Sequence, residues 1–148
     1  MHHKSISLAS LVALALCAML VVALPAFGDA VYHSQHIALV SSTGTTVGFV
    51  ENIHANGPTI YAQERYVLVG AQPGTYTVTL TITSPLLPAP QVLTSATITT
   101  NAVGNGVGKV TFTPADADGL RGLTVTIVWT VSSAGATYRT SPQTVVLD

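Results

Sequence analysis

The sequence predicts an all-β protein, an antiparallel β-sandwich of about eight short strands behind an N-terminal signal helix. Three observations predict it. From residue 36 onward apolar residues alternate repeatedly with threonine, and a period of two is the mark of a strand with one buried face. Turn-forming residues recur every 8 to 12 residues or roughly so, the spacing of a sandwich or barrel. No segment after the signal shows a helical period.

The signal comes first in the chain. Lys4 and the amino terminus supply positive charge, Ile6 to Leu24 is an almost unbroken apolar core, and Pro25 breaks its helix. Small residues two apart, Ala26 and Gly28, predict cleavage before Asp29; Gly28 and Ala30 offer a second choice, before Val31. A core of about 19 residues approaches the length of a membrane anchor, but Pro25 and the small residues favour processing. A lipoprotein built on Cys17 is disfavoured, because Leu16 is large and apolar sequence continues past the cysteine. The expected domains are therefore a signal peptide at 1–28 and a single β-sandwich domain at 29–148.

Removal of residues 1–28 takes Lys4 and the sole cysteine with it. Four basic residues then face six acidic ones, a formal net of −2. Nucleic-acid binding is disfavoured without a basic stripe. A chain sent to a disulfide-permissive compartment without a disulfide must be held by its core alone.

The strands follow in order. His36 to Val40, Thr46 to Val50 and Glu64 to Val69 are short and weakly patterned. Thr75 to Thr83 is the clearest: Tyr76, Val78, Leu80 and Ile82 point one way and five threonines the other, where branched Cβ suits extended backbone and the hydroxyl meets water. Val92 to Thr100 and Gly108 to Thr113 come next. Leu123 to Val131 shares Leu123, Val125, Ile127, Trp129 and Val131 on a core face, and a one-residue slip would put all five in water. Tyr138 to Leu147 closes the set. Trp129 is the single large anchor and is expected between two sheets.

Turns are expected at Asn56-Gly57-Pro58, Gln72-Pro73-Gly74, Ala134-Gly135 and Asn105-Gly106, the last as a hairpin tip. Three prolines in Ser84 to Pro90 predict an extended crossover between sheets, with Leu86 and Leu87 plugging the end of the core.

Pro73-Gly74-Thr75-Tyr76-Thr77-Val78-Thr79-Leu80, followed by a second sheet carrying Trp129, resembles the bacterial secreted immunoglobulin-like and fibronectin type III-like β-sandwich domains. The resemblance covers most of residues 36–147. It implies an immunoglobulin-like sandwich with an adhesive, spacer or recognition role, and it implies no catalytic residues. The Cys…Trp…Cys spacing of true immunoglobulin domains is absent.

Chemistry-bearing residues are sparse. His33, His36, Glu51, His54 and Glu64 are the candidate metal ligands, with His33/His36 and Glu51/His54 each spaced by three. On a strand that spacing sends the pair to opposite faces, so surface histidines are the plainer reading. Asp116-Ala117-Asp118-Gly119 has part of a calcium loop but lacks its third ligand and distal glutamate. It reads as an acidic turn, with Arg121 able to pair at the surface. Gly104 to Gly108 enters a strand and so lacks the helix N-terminus that holds phosphate. No Gly-x-Ser-x-Gly elbow occurs. Tyr61, Tyr66 and Tyr138 are the candidate ligand-stacking residues.

The expectation is a secreted, non-enzymatic module, periplasmic or extracellular, with a structural, adhesive or protein-interaction role and no cofactor. Its thin charge predicts self-association or partner-strand addition along an edge. A carbohydrate or small-ligand module on the tyrosines, and a metal-binding protein on the histidines, are the alternatives.

Overall fold

The computed structural model describes residues 33–54 and 60–147. The expected signal segment and the Asn56-Gly57-Pro58 turn lie outside the described residues. Within them the chain is all-β, with nine strands and one short 3-10 turn, Pro114–Ala117. The strands are β1 (His33–Val40), β2 (Thr46–His54), β3 (Ala62–Leu68), β4 (Thr75–Thr83) and β5 (Gln91–Thr99). After them come β6 (Gly106–Phe112), β7 (Thr124–Ser132), β8 (Thr137–Arg139) and β9 (Gln143–Val146).

Every pairing is antiparallel, and hydrogen bonds run along one curled path, β5-β4-β7-β8-β1-β2-β3-β6, with β9 also on β7. The predicted alternation sets the inner face. Tyr76, Val78, Leu80 and Ile82 of β4 are all buried, as are Val125, Ile127, Trp129 and Val131 of β7. Leu123 precedes β7 and is partly buried against the same core. Ile37, Leu39, Val50, Tyr66, Leu68 and Ile98 complete the face from the other strands.

The two ends of the path lie against one another. An added Cβ at Gly106 would stand 2.8 Å from the Thr99 carbonyl oxygen, and one at Gly108 would stand 2.7 Å from Ile98 Cγ1. Only glycine lets the β6 backbone lie this close to β5. This corrects two expected connections. Asn105-Gly106 does not head a β5–β6 hairpin, because β6 crosses to pair with β3. The proline-rich loop is not a crossover: β4 and β5 pair across it, from Thr75↔Thr99 to Ile82↔Gln91, with its prolines outside the ladder. Leu87 packs on the core as expected, whereas Leu86 is 75% exposed. The Leu87 N–H donates to the Ser84 carbonyl at 3.1 Å, a tight turn with Leu86 at its tip.

The strand predicted over Tyr138 to Leu147 is divided. Val128 and Trp129 of β7 face three residues, Thr140, Ser141 and Pro142, so the partner carries one extra residue between β8 and β9. Pro142 has no N–H to give a ladder. Thr140 makes good the loss locally: its N–H donates to the Trp129 carbonyl at 3.1 Å, and its Oγ1 accepts from the Trp129 N–H at 3.2 Å.

The turn before β4 is held by side chains of β4, of β8 and of the residue that follows β5. Tyr76 Oη donates to the Gln72 carbonyl at 2.6 Å, and Tyr138 Oη accepts from the Gln72 N–H at 3.2 Å. Thr100 Oγ1 accepts from the Gly74 N–H at 2.8 Å.

Candidate functional site

β3 alternates, and its inward positions are Glu64, Tyr66 and Leu68. The parity that buries an aromatic and a leucine buries a carboxylate with them, and Glu64 is 3% exposed. Its Oε2 accepts from Tyr66 Oη, which also lies 2.9 Å from Ser95 Oγ. Ser95 reaches inward because β5 bulges there: Val78 pairs with Ala96 and Thr79 with Thr94, leaving Ser95 as the extra residue. Burial pushes the Glu64 carboxyl up to about 7, against the smaller opposing pulls of Tyr66 and Trp129. The indole N–H of Trp129 is buried and has no partner within hydrogen-bond geometry, but it lies near enough to Glu64 to favour its carboxylate. Burial, and then the neighbouring Glu64 charge, push the Tyr66 phenol far above its usual range.

Beside Glu64 opens a cavity of about 70 Å³ at the end of the inner face. Leu80 and Ile82 of β4, Leu93 of β5, Phe112 of β6, Ile127 of β7 and Leu120 wall it. Asn52, directly across the β2–β3 ladder from Glu64, enters the same cavity. Asn52 Oδ1 is buried without a hydrogen-bond partner, an uncommon state for a buried acceptor. Asp116 also lines the cavity, but its Oδ2 is occupied by the Thr113 N–H at 2.6 Å and hydroxyl at 2.8 Å. Those bonds hold its carboxyl below the usual carboxylate range. Tyr61 lines the cavity with the Arg121 guanidinium 5.2 Å from its ring centroid.

The other face of β3 carries a charged row. His36, Glu51, Arg65 and Lys109 stand opposite one another across β1, β2, β3 and β6. Glu51 accepts from Arg65 Nε at 2.8 Å and lies 3.1 Å from His36 Nε2. The His36 hydrogen bond leads the causes that hold the Glu51 carboxyl below its usual range. The next row, Ala38, Phe49, Val67 and Val107, is apolar, and the His36 ring stacks on Phe49 at 4.9 Å. The remaining half of the sheet differs in kind. No charged residue occurs in β5, β4, β7 or β9.

The candidate ligands are thus divided between faces. His36 and Glu51 meet on the outside, Glu64 lies inside, and the side chains of His33 and His54 are outside the described residues. Among the described residues no three His, Cys, Asp or Glu side chains converge as a metal site would need. Tyr61, Tyr66 and Tyr138 are 6%, 0% and 5% exposed, so their rings fill the interior and make no solvent-facing platform. The Glu64, Asn52 and Ser95 constellation was legible only in part. Alternation through Glu64-Arg65-Tyr66 points the carboxylate inward, but nothing local announces the bulge at Ser95.

No helix among the described residues is long and apolar enough to cross a membrane. Comparison with family models, curated proteins and solved structures gave no match.

Proposed function

We propose that the chain is a secreted, non-enzymatic, immunoglobulin-like sandwich module with a structural or adhesive role, and that it joins a second copy of itself through β5. The observation that carries this reading is the end of the run of uncharged strands β7, β4 and β5. β5 closes the hydrogen-bonded path, has its ladder only with β4, and contains neither charge nor proline over nine residues. Val92 on that strand is 64% exposed. Natural edge strands are ordinarily blunted by charge or proline. Antiparallel addition of two copies about a two-fold axis sets a strand against itself, and a charged strand would meet its own like charge. β5 has none to meet.

The sandwich reading is supported by the connections from β3 to β4, β5 to β6 and β6 to β7, which pass between the two halves of the path. The Tyr76 hydroxyl bonded four residues upstream to Gln72 is also the geometry of a tyrosine corner, frequent in such folds. Secretion is supported by the signal pattern expected from the sequence of residues 1–28.

Sedimentation velocity over a concentration series tests the reading. The chain is expected to shift toward dimer as concentration rises, and Val92→Lys to stay monomeric. A strictly monomeric profile at high concentration, with no retention at the cell surface, would sink it.

A further inference from the structure

We propose that the cavity beside Glu64 is a binding site for a short aliphatic primary amine, its ammonium group on the Glu64 carboxylate and Asn52 Oδ1 and its alkyl chain among Leu80, Ile82, Leu93 and Phe112. The site lies on the inner face and does not depend on association through the β5 edge.

The chemistry of the walls selects the occupant. At about 70 Å³ the cavity admits a short chain, while drug-sized ligands need roughly 300 Å³ or more. Its walls are aliphatic and aromatic, so the body of the ligand is apolar. Glu64 and Asn52 stand side by side across the β2–β3 ladder, and both offer acceptors: the buried Glu64 carboxylate and the buried, unpartnered Asn52 Oδ1. A ligand that satisfies both must donate. An ammonium brings three N–H donors and the charge opposite to that of the carboxylate. Two donors meet the acceptors and the third turns toward the open side of the cavity. Tyr66 is directed at Glu64 by its own hydroxyl and braced by Ser95, so the carboxylate is held in place before a ligand arrives. A carboxylate ligand would set one acceptor group against another, and a simple alcohol has one donor for two acceptors.

Binding then depends on pH. Among the described residues the ionisable groups beside Glu64 or around its cavity are Tyr66 on its own strand, Asp116 on the turn after β6, and Tyr61 before β3 with Arg121 above its ring. Tyr66 is pushed up and Asp116 held down, which leaves Glu64, at about 7, as the carboxyl that ionises near neutrality. The ammonium needs the carboxylate, so binding strengthens as pH rises through that value. Below it, affinity falls about tenfold per pH unit, one proton being exchanged for one ligand.

Trp129, the only tryptophan, has its indole close enough to Glu64 to influence its ionisation, so its emission reports on the site. The test is a fluorescence titration with n-butylammonium, n-butanol and n-butyrate at about pH 8 and about pH 6. The expected result is saturable binding of the amine alone, about tenfold weaker at the lower pH. Glu64→Gln is expected to remove it, and Leu93→Phe, which fills the cavity, to block it. The proposal is overturned if the amine gives no saturable change, if butanol binds as tightly, or if a folded Glu64→Gln retains amine affinity. Should Glu64→Gln fail to fold, the wild-type pH profile decides: affinity independent of pH between those values overturns it equally.

Discussion

At Glu64, burial raises the carboxyl from 4.5 to about 7, so the folded chain holds this proton more tightly than the unfolded chain does. The stabilising effect of protonation is complete below about pH 4.5 and is lost as pH rises through about 7, a span of roughly 3 kcal/mol. Chemical denaturation is therefore expected to show greater stability at about pH 5 than at about pH 8, with the difference largely removed in Glu64→Gln. Equal stability of the wild type at both values would refute the burial of an ionisable group here. Trp129 works by volume instead. It is 1% exposed on the face shared with Val125, Ile127 and Val131, and Trp129→Ala is expected to cost about 3 to 5 kcal/mol in the same measurement. An unchanged midpoint would place the indole outside the core. The Trp129 position was legible from alternation alone. Glu64 was legible in orientation, since it shares parity with Tyr66 and Leu68, but its charge invites a surface reading that only the inner face overrules.

At the scale of elements, β4 and β7 were readable because each carries four inward apolar residues on a strict period of two, a pattern that a one-residue slip would expose. The connections were not. A proline-rich loop and an Asn-Gly turn describe local backbone, and neither states which strand the chain pairs with next. The deciding feature is the pair Gly106 and Gly108, which lets β6 lie on Ile98 and Thr99 instead of pairing with β5. Gly108→Val drives its Cβ against Ile98 Cγ1 and is expected to cost about 1 to 3 kcal/mol by thermal denaturation. A variant as stable as the parent would show that β6 does not rest on β5. The split of the last strand has the same character. Pro142 in the sequence marks a break, whereas the role of Thr140 as hydrogen-bond partner to the Trp129 backbone needs the two strands side by side.

Across the whole molecule, charge is segregated. One half of the curled sheet carries the row His36, Glu51, Arg65 and Lys109, whereas β5, β4, β7 and β9 carry no charge and the only charged strand residue beside them is Arg139 of β8. The inner faces explain folding, and the uncharged free edge of β5 is the part of the surface that ordinary protection against association leaves bare. The inward bulge at Ser95 and the cover of β6 over Ile98 and Thr99 confine the open stretch to the first half of β5. Amide hydrogen exchange at rising protein concentration tests this most directly, because strand addition gives the outward N–H groups of residues 91–96 a partner. Slower exchange of those amides as concentration rises, with β2 and β3 unchanged, is the predicted result. Exchange at β5 that does not vary with concentration would contradict association through this edge.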